Sequence, residues 1–202
     1  KESVVSVGLF EADRRYMEDW DLWLRMLPSH RFVGTGARLV RYRVHGDSLS
    51  GHTENFRWAA PGFIQKLFGP DDGCCERWTL EKRLAYGGLH RYLTLVGIQR
   101  QGDWEGAVSH LRRALQIDPS LSTDLDLFYD LALGSQPPGH RGSAQHLELA
   151  ENVGRVLALL DAVFQPPDGD TIRPLRRRTM GTALEALGLV GYNTGHYRLS
   201  RR

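Results

Sequence analysis

Residues 18–25 read Glu-Asp-Trp-Asp-Leu-Trp-Leu-Arg, and the acids Glu18, Asp19 and Asp21 stand where a helix is predicted to begin. The free backbone N–H groups of a first helical turn carry partial positive charge, which keeps carboxylates ionised. An ionised carboxylate on a rigid element is what a general base requires, since it must take a proton at hydrogen-bond distance. Acids in a first turn also serve as ordinary helix caps, and their position alone does not separate the two roles. A second constellation follows in Arg41-Tyr42-Arg43-Val44-His45, whose alternation places Arg41, Arg43 and His45 on one face of a strand. Two guanidiniums and an imidazole on one face suit a diphosphate, although a histidine that merely begins a surface turn has the same local sequence. His30, His45 and His52 follow no zinc-ligand spacing.

The elements that would position these groups are one helix and several short strands. The helix is predicted from Glu18 to Pro28. Trp20, Trp23, Leu24 and Leu27 fall at i, i+3, i+4 and i+7, and Leu22 with Met26 adds a second stripe, so both sides are expected to be buried. Arg25 lies four residues after Asp21 in the acid-first order that favours an ion pair. Asp21 itself falls on a different helix face from Asp19 and reads as a structural hydrogen-bond partner. Residues 4–7, 31–33 and 38–44 are strand-like, punctuated by Gly34, Gly36 and Gly46. Beyond Gly51 the pattern is helical at about 53–68, 77–100, 104–117, 121–133, 143–164 and 178–193, interrupted by Gly, Pro and Asp clusters. Residues 134–145 are the best candidate for a mobile loop. The predicted class is α+β, predominantly α.

Composition narrows the function classes. With 202 residues, 41% apolar and 25% charged, the chain has the make-up of a globular protein. No apolar run approaches the roughly 20 residues that cross a bilayer, and residues 1–6 have neither an initiator Met nor a signal-peptide core. Lys1 reads as a cut inside a longer chain. The adjacent pair Cys74-Cys75 suits neither a structural disulfide nor a zinc site, which makes a reducing, cytoplasmic setting the default. Net charge is +2, and all but three of the 26 basic residues are arginines scattered among acids. Nucleic-acid binding would need a continuous basic stripe with exposed aromatics, which is not present. Arg173 with Arg176, Arg177 and Arg178 could meet anionic lipid at the inner face of a membrane, or form a solvated basic turn.

The segment GLFEADRRYMEDWDLWLR, followed about twenty residues later by LVRYRVHGDSLS, resembles the acceptor-side half of family 2 glycosyltransferases of the GT-A type. Gly8, Phe10, Glu11, Arg15, Tyr16, Glu18, Asp19, Trp20, Asp21, Leu22 and Trp23 occupy the places of that family's glycine-containing loop and acidic pair. A second glycine commonly follows the first, and Leu9 stands there instead. The resemblance implies an inverting transfer from a nucleotide-sugar donor to a hydroxyl of a glycan, lipid-linked or protein acceptor. Asp19 would be the base, and Glu18 would orient the acceptor or the base. Gly8, Trp20, Arg41, Arg43 and Ser48 would bind donor or acceptor. His45 would join a divalent cation, Mg or Mn, at the leaving diphosphate. A donor-binding half with an Asp-x-Asp motif after a strand is expected outside these residues. Asp124-Leu125-Asp126 has the letters, but lies in a helical context and in the wrong chain order.

Two domains are expected: 1–52 as the carboxy-terminal remnant of a GT-A α/β domain, and 53–202 as a helical domain. Within the latter, residues 87–119 resemble the second half of a tetratricopeptide repeat. Gly102-Asp103-Trp104 would form the turn, Ala107 and Ala114 the close helix contacts, and Pro119 the end of the unit. A partial second match spans 184–202, at a separation that is no multiple of the roughly 34-residue repeat. The tail would either hold a protein partner or cover the catalytic domain. A non-catalytic helical scaffold that retains a degenerate transferase remnant is the rival to the enzyme.

Overall fold

The structure, a computed structural model, describes residues 1–13, 16–41, 53–98, 102–134 and 147–197. It divides into two compact units, Lys1–Leu67 and Phe68–Arg202. The division falls near the end of the helix that follows Gly51.

The first unit contains α1 (Glu2–Ser6), α2 (Glu18–Met26) and α3 (Thr53–Phe68). Helix α2 begins after Met17, which holds the left-handed backbone conformation at φ 61°. It ends just before Pro28, as predicted. Its burial differs from the expectation. Leu22 is buried, but Trp20 is 54% and Trp23 48% exposed, and Leu27 is exposed as well. The helix thus turns one narrow side inward, the side carrying Asp21 and Leu22.

No strand occurs among the described residues. Residues 4–6 belong to α1, and 31–41 run without regular structure in solvent. The alternation there was real, but Val33, Leu39 and Val40 are exposed and lie in no ladder. A strand exists only through pairing, which sequence alternation cannot supply. Residues 42–44 lie outside the described residues, as do 135–146, and with them most of the expected loop at 134–145.

In the second unit every regular element among the described residues is a helix. After a 3-10 turn at Cys75–Arg77 come α4 (Leu80–Val96), α5 (Trp104–Ile117), a 3-10 segment Pro119–Thr123, α6 (Leu125–Leu133), α7 (Leu149–Val163), a 3-10 segment Asp170–Leu175 and α8 (Arg176–Asn193). Side chains set the starts. Thr79 accepts from the Lys82 amide, Asp103 from Gly106, Asp118 from Ser120 and Asp124 from Leu127. Each cap satisfies one of the amides that a helix start leaves unpaired. Asp124 therefore works as the cap of α6, and Asp126 lies in the first turn of that helix.

Helices α4 and α5 form a hairpin. A Cβ on Gly97 would lie 3.1 Å from the Asp103 carbonyl oxygen and 3.2 Å from the Ala107 Cβ, so glycine permits the close turn. Ala107 and Ala114 are fully buried, as expected of small residues at close helix contacts. Helix α6 packs on α7 and α8, and α5 on α7. Leu111, Leu115, Phe128, Leu131, Leu159, Leu160, Val163 and Val190 fill the centre. Polar groups hold the helix ends. The Asn152 side-chain amide donates to the Ala132 carbonyl at 3.0 Å, and Arg112 donates to the Ala162 and Val163 carbonyls, both at 3.0 Å.

This core predicts the cost of truncation. Leu111→Ala leaves a cavity and should lower unfolding free energy by about 2–5 kcal/mol, whereas Leu184→Ala, at a half-exposed site, should change it by less than about 1 kcal/mol. Urea unfolding of both variants checks the difference.

Candidate functional site

The candidate site in the first unit is built around α2. Asp21 is 4% exposed, and an ionised carboxylate this deep must be paired. Arg25 Nε donates to Asp21 Oδ2 at 2.8 Å, the i,i+4 pair expected from sequence. Lys66 Nζ from α3 lies 3.4 Å from Asp21 Oδ1 and 3.1 Å from Glu11 Oε1. That link spans 45 residues and had no signature in spacing.

Arg25 does more than neutralise Asp21. Its two terminal nitrogens donate to the carbonyls of Val7 and, at 2.7 Å, Leu9. One side chain thus ties the loop around Gly8 to the body of α2. The backbone there turns sharply: Gly8 has φ 90° and Leu9 φ 62°. Glycine adopts this region freely, but leucine is strained in it. Leu9 therefore holds a glycine-like conformation at the position where a second glycine was expected from the resemblance.

Glu18 and Asp19 differ from Asp21 in surroundings. Both are partly exposed in the first turn of α2. Asp19 Oδ1 accepts the Trp20 amide at 2.8 Å, and no ion pair to either acid is present among the described residues. Trp20 follows directly, half exposed. Gly8, Glu18, Asp19 and Trp20 thus belong to one loop-and-helix unit organised by Arg25. Arg41 is exposed in irregular chain. Arg43, His45 and Ser48 lie outside the described residues, so the face shared by Arg41, Arg43 and His45 is not described. The same holds for His52, whereas the His30 ring meets the Ser29 hydroxyl at 2.9 Å.

Among the described residues no three His, Cys, Asp or Glu side chains converge to hold a metal ion. His45, the residue expected to join a divalent cation, lies outside them. No helix among the described residues is long and apolar enough to cross a membrane.

In the second unit, Ser109, Arg112, Gln116, Asp168 and Thr171 line an open cavity of about 490 Å³. Its cations are already engaged: Arg112 with Asp168 and the end of α7, Arg113 with Asp71. Gln116 donates to the Thr171 hydroxyl at 2.9 Å. The cavity wall therefore ties α5 to the segment after α7. Arg176, Arg177 and Arg178 open α8, where Arg176 faces Asp161 at 3.5 Å, both exposed.

Two variants separate structural from exposed groups. Arg25→Met leaves Asp21 buried beside a weaker partner and releases residues 7–9, so protection of the α2 amides from hydrogen exchange should fall by roughly a hundredfold. Leu9→Gly should be neutral or stabilising by up to about 1 kcal/mol, although Leu→Gly at a residue with ordinary φ costs stability. A clear loss of stability in Leu9→Gly would contradict the strained backbone.

Comparison with known proteins adds no assignment: no family model matches the sequence, and neither a curated protein nor a solved structure matches it.

Proposed function

We propose that residues 8–50 form the acceptor side of an inverting glycosyltransferase of the family 2 type, with Asp19 as general base. The observation that carries this is the division of labour among the acids of one helical turn. Asp21 is buried and neutralised by Arg25 and Lys66, while Asp19 and Glu18 stay accessible at the positive end of the same helix. Supporting it is the loop of Gly8 and Leu9, which keeps a positive-φ backbone where the family's glycines stand.

The chemistry follows from these positions. The acceptor hydroxyl gives its proton to the Asp19 carboxylate as its oxygen attacks the anomeric carbon of the donor sugar. The bond from that carbon to the nucleoside diphosphate breaks on the opposite face, which inverts the anomeric centre. Asp19 does not have to move, because the Trp20 amide fixes one of its oxygens and leaves the other for the acceptor. Glu18, adjacent in the turn, orients the incoming hydroxyl, and the exposed ring of Trp20 offers an apolar face to a sugar. Arg41, with Arg43, His45 and Ser48, would hold the diphosphate side. The acceptor class, whether glycan, lipid-linked or protein, is set by surfaces beyond these residues.

A rival reading gains from the second unit, which has a closed core of its own and a capped helical hairpin. In that reading the helices are a protein-binding scaffold of tetratricopeptide-like form, and α2 is a remnant. Substitution at Asp19 distinguishes the two. In a polypeptide carrying this chain with a donor-binding half, Asp19→Asn should lower sugar transfer by about 10²–10⁴-fold and leave donor binding and folding unchanged. Turnover retained in that variant would end the base assignment.

A further inference from the structure

In the second unit two imidazoles meet across the α4–α5 hairpin. His90 Nδ1 and His110 Nδ1 are 3.0 Å apart, with ring centroids separated by 5.1 Å. A hydrogen bond at this distance needs one N–H and one bare nitrogen. The negative charge of Asp71 biases the choice. Its Oδ2 lies 3.9 Å from the other ring nitrogen of His90, Nε2, and favours the proton there. His90 Nδ1 is then the acceptor, and His110 Nδ1–H donates to it. The His90 side chain is only 15% exposed.

We propose that this contact is an acid-sensitive latch on the α4–α5 hairpin, closed while His90 Nδ1 is bare and opened when that nitrogen takes a proton. Counting protons shows why. The neutral pair has one N–H between the two Nδ1 atoms. A first added proton can reside on His110 without breaking the contact, since His110 Nδ1 still donates. A second proton, on His90 Nδ1, sets N–H against N–H and cation against cation. The contact then has no bonding arrangement, and the two rings must separate.

The groups facing His90 favour the closed form at neutral pH. From α5 come His110 and Arg113, both unfavourable to a positive His90. Asp71, from the loop before α4, attracts a proton, but Arg113 Nε holds Asp71 Oδ2 at 2.9 Å and blunts that pull. Asp124, which caps α6, and Asp130 within it pair with the neighbouring Arg91. Burial first, then the charge of His110 and that of Arg113, outweigh Asp71 and push the His90 pKa down to about 4. Partial burial opposes ionisation of Asp71, yet its bonds to Arg113 and the Gly73 amide keep its pKa below the ordinary value, so it stays charged through the transition. An opened or unfolded chain binds the His90 proton near the ordinary pKa of about 6.5. The stabilisation is therefore complete above about pH 6.5 and is lost as pH falls toward 4.

Imidazole nitrogen NMR of the 202-residue chain, combined with urea unfolding from pH 7 to 4, tests the latch. His90 should remain neutral, protonated at Nε2, to below pH 5. Between pH 6.5 and 4 the wild-type folding equilibrium constant should fall on the order of a hundredfold more than that of His90→Gln, in which the carboxylates titrate alike. Titration of His90 near pH 6.5 in the folded chain, or a bare Nε2, overturns the proposal, and so do parallel stability profiles. If His90→Gln does not fold, the wild-type imidazole spectra decide alone.

Discussion

Asp21 is carried almost wholly out of water at the first turn of α2, and the arrangement of residues 1–67 follows from what that burial demands. A carboxylate taken from water without compensation costs several kcal/mol, so cations must come to it. Arg25 comes from the next turn of the same helix, and Lys66 from α3. Arg25 then has donors left over, and they reach the carbonyls of residues 7 and 9. A single buried charge thus gathers two helices and a loop. The exposed start of α2, with Glu18 and Asp19, is positioned as a consequence.

The two units are stabilised by different means. In Lys1–Leu67, Met17, Leu22, Ala60 and Phe63 are the buried apolar residues described, while Trp20, Trp23, Leu27 and Trp58 stand in solvent. In Phe68–Arg202 the apolar residues of five helices close on one another, and polar side chains cap helix ends or pair with one another, as His90 and His110 do. Half-exposed tryptophans beside accessible acids are an expense for folding that a surface meeting sugar or another protein element would justify. The second unit, with its interior filled, holds its shape without such help.

Legibility in sequence tracked the range of the interaction. Helices announced by local signals emerged closely: Trp104–Ile117 after the Asp103 cap, Thr53–Phe68 beyond Gly51, and α2 between its acids and Pro28. The Asp21–Arg25 pair, four residues apart, was equally visible. Burial was not. The two stripes of α2 promised a covered helix, but which stripe is covered depends on the chain around it, and only the Asp21–Leu22 side is. The strand-like run at 38–41 failed for the same reason, since its pairing partner is not a property of the run itself. Lys66 with Asp21, and His90 with His110, join residues that no spacing rule connects.

What remains local is the chemistry of the α2 start: two accessible carboxylates at a positive helix end, anchored by a third that is buried. The most direct measurement of that account is a structure of a polypeptide carrying this chain with a donor-binding half, bound to nucleotide sugar and acceptor. A transfer based on Asp19 predicts the acceptor hydroxyl about 2.6–3.2 Å from the Asp19 carboxylate, in line with the anomeric carbon, and Asp21 still paired with Arg25. An acceptor seated away from α2, or an Asp19 covered by another element, would contradict it.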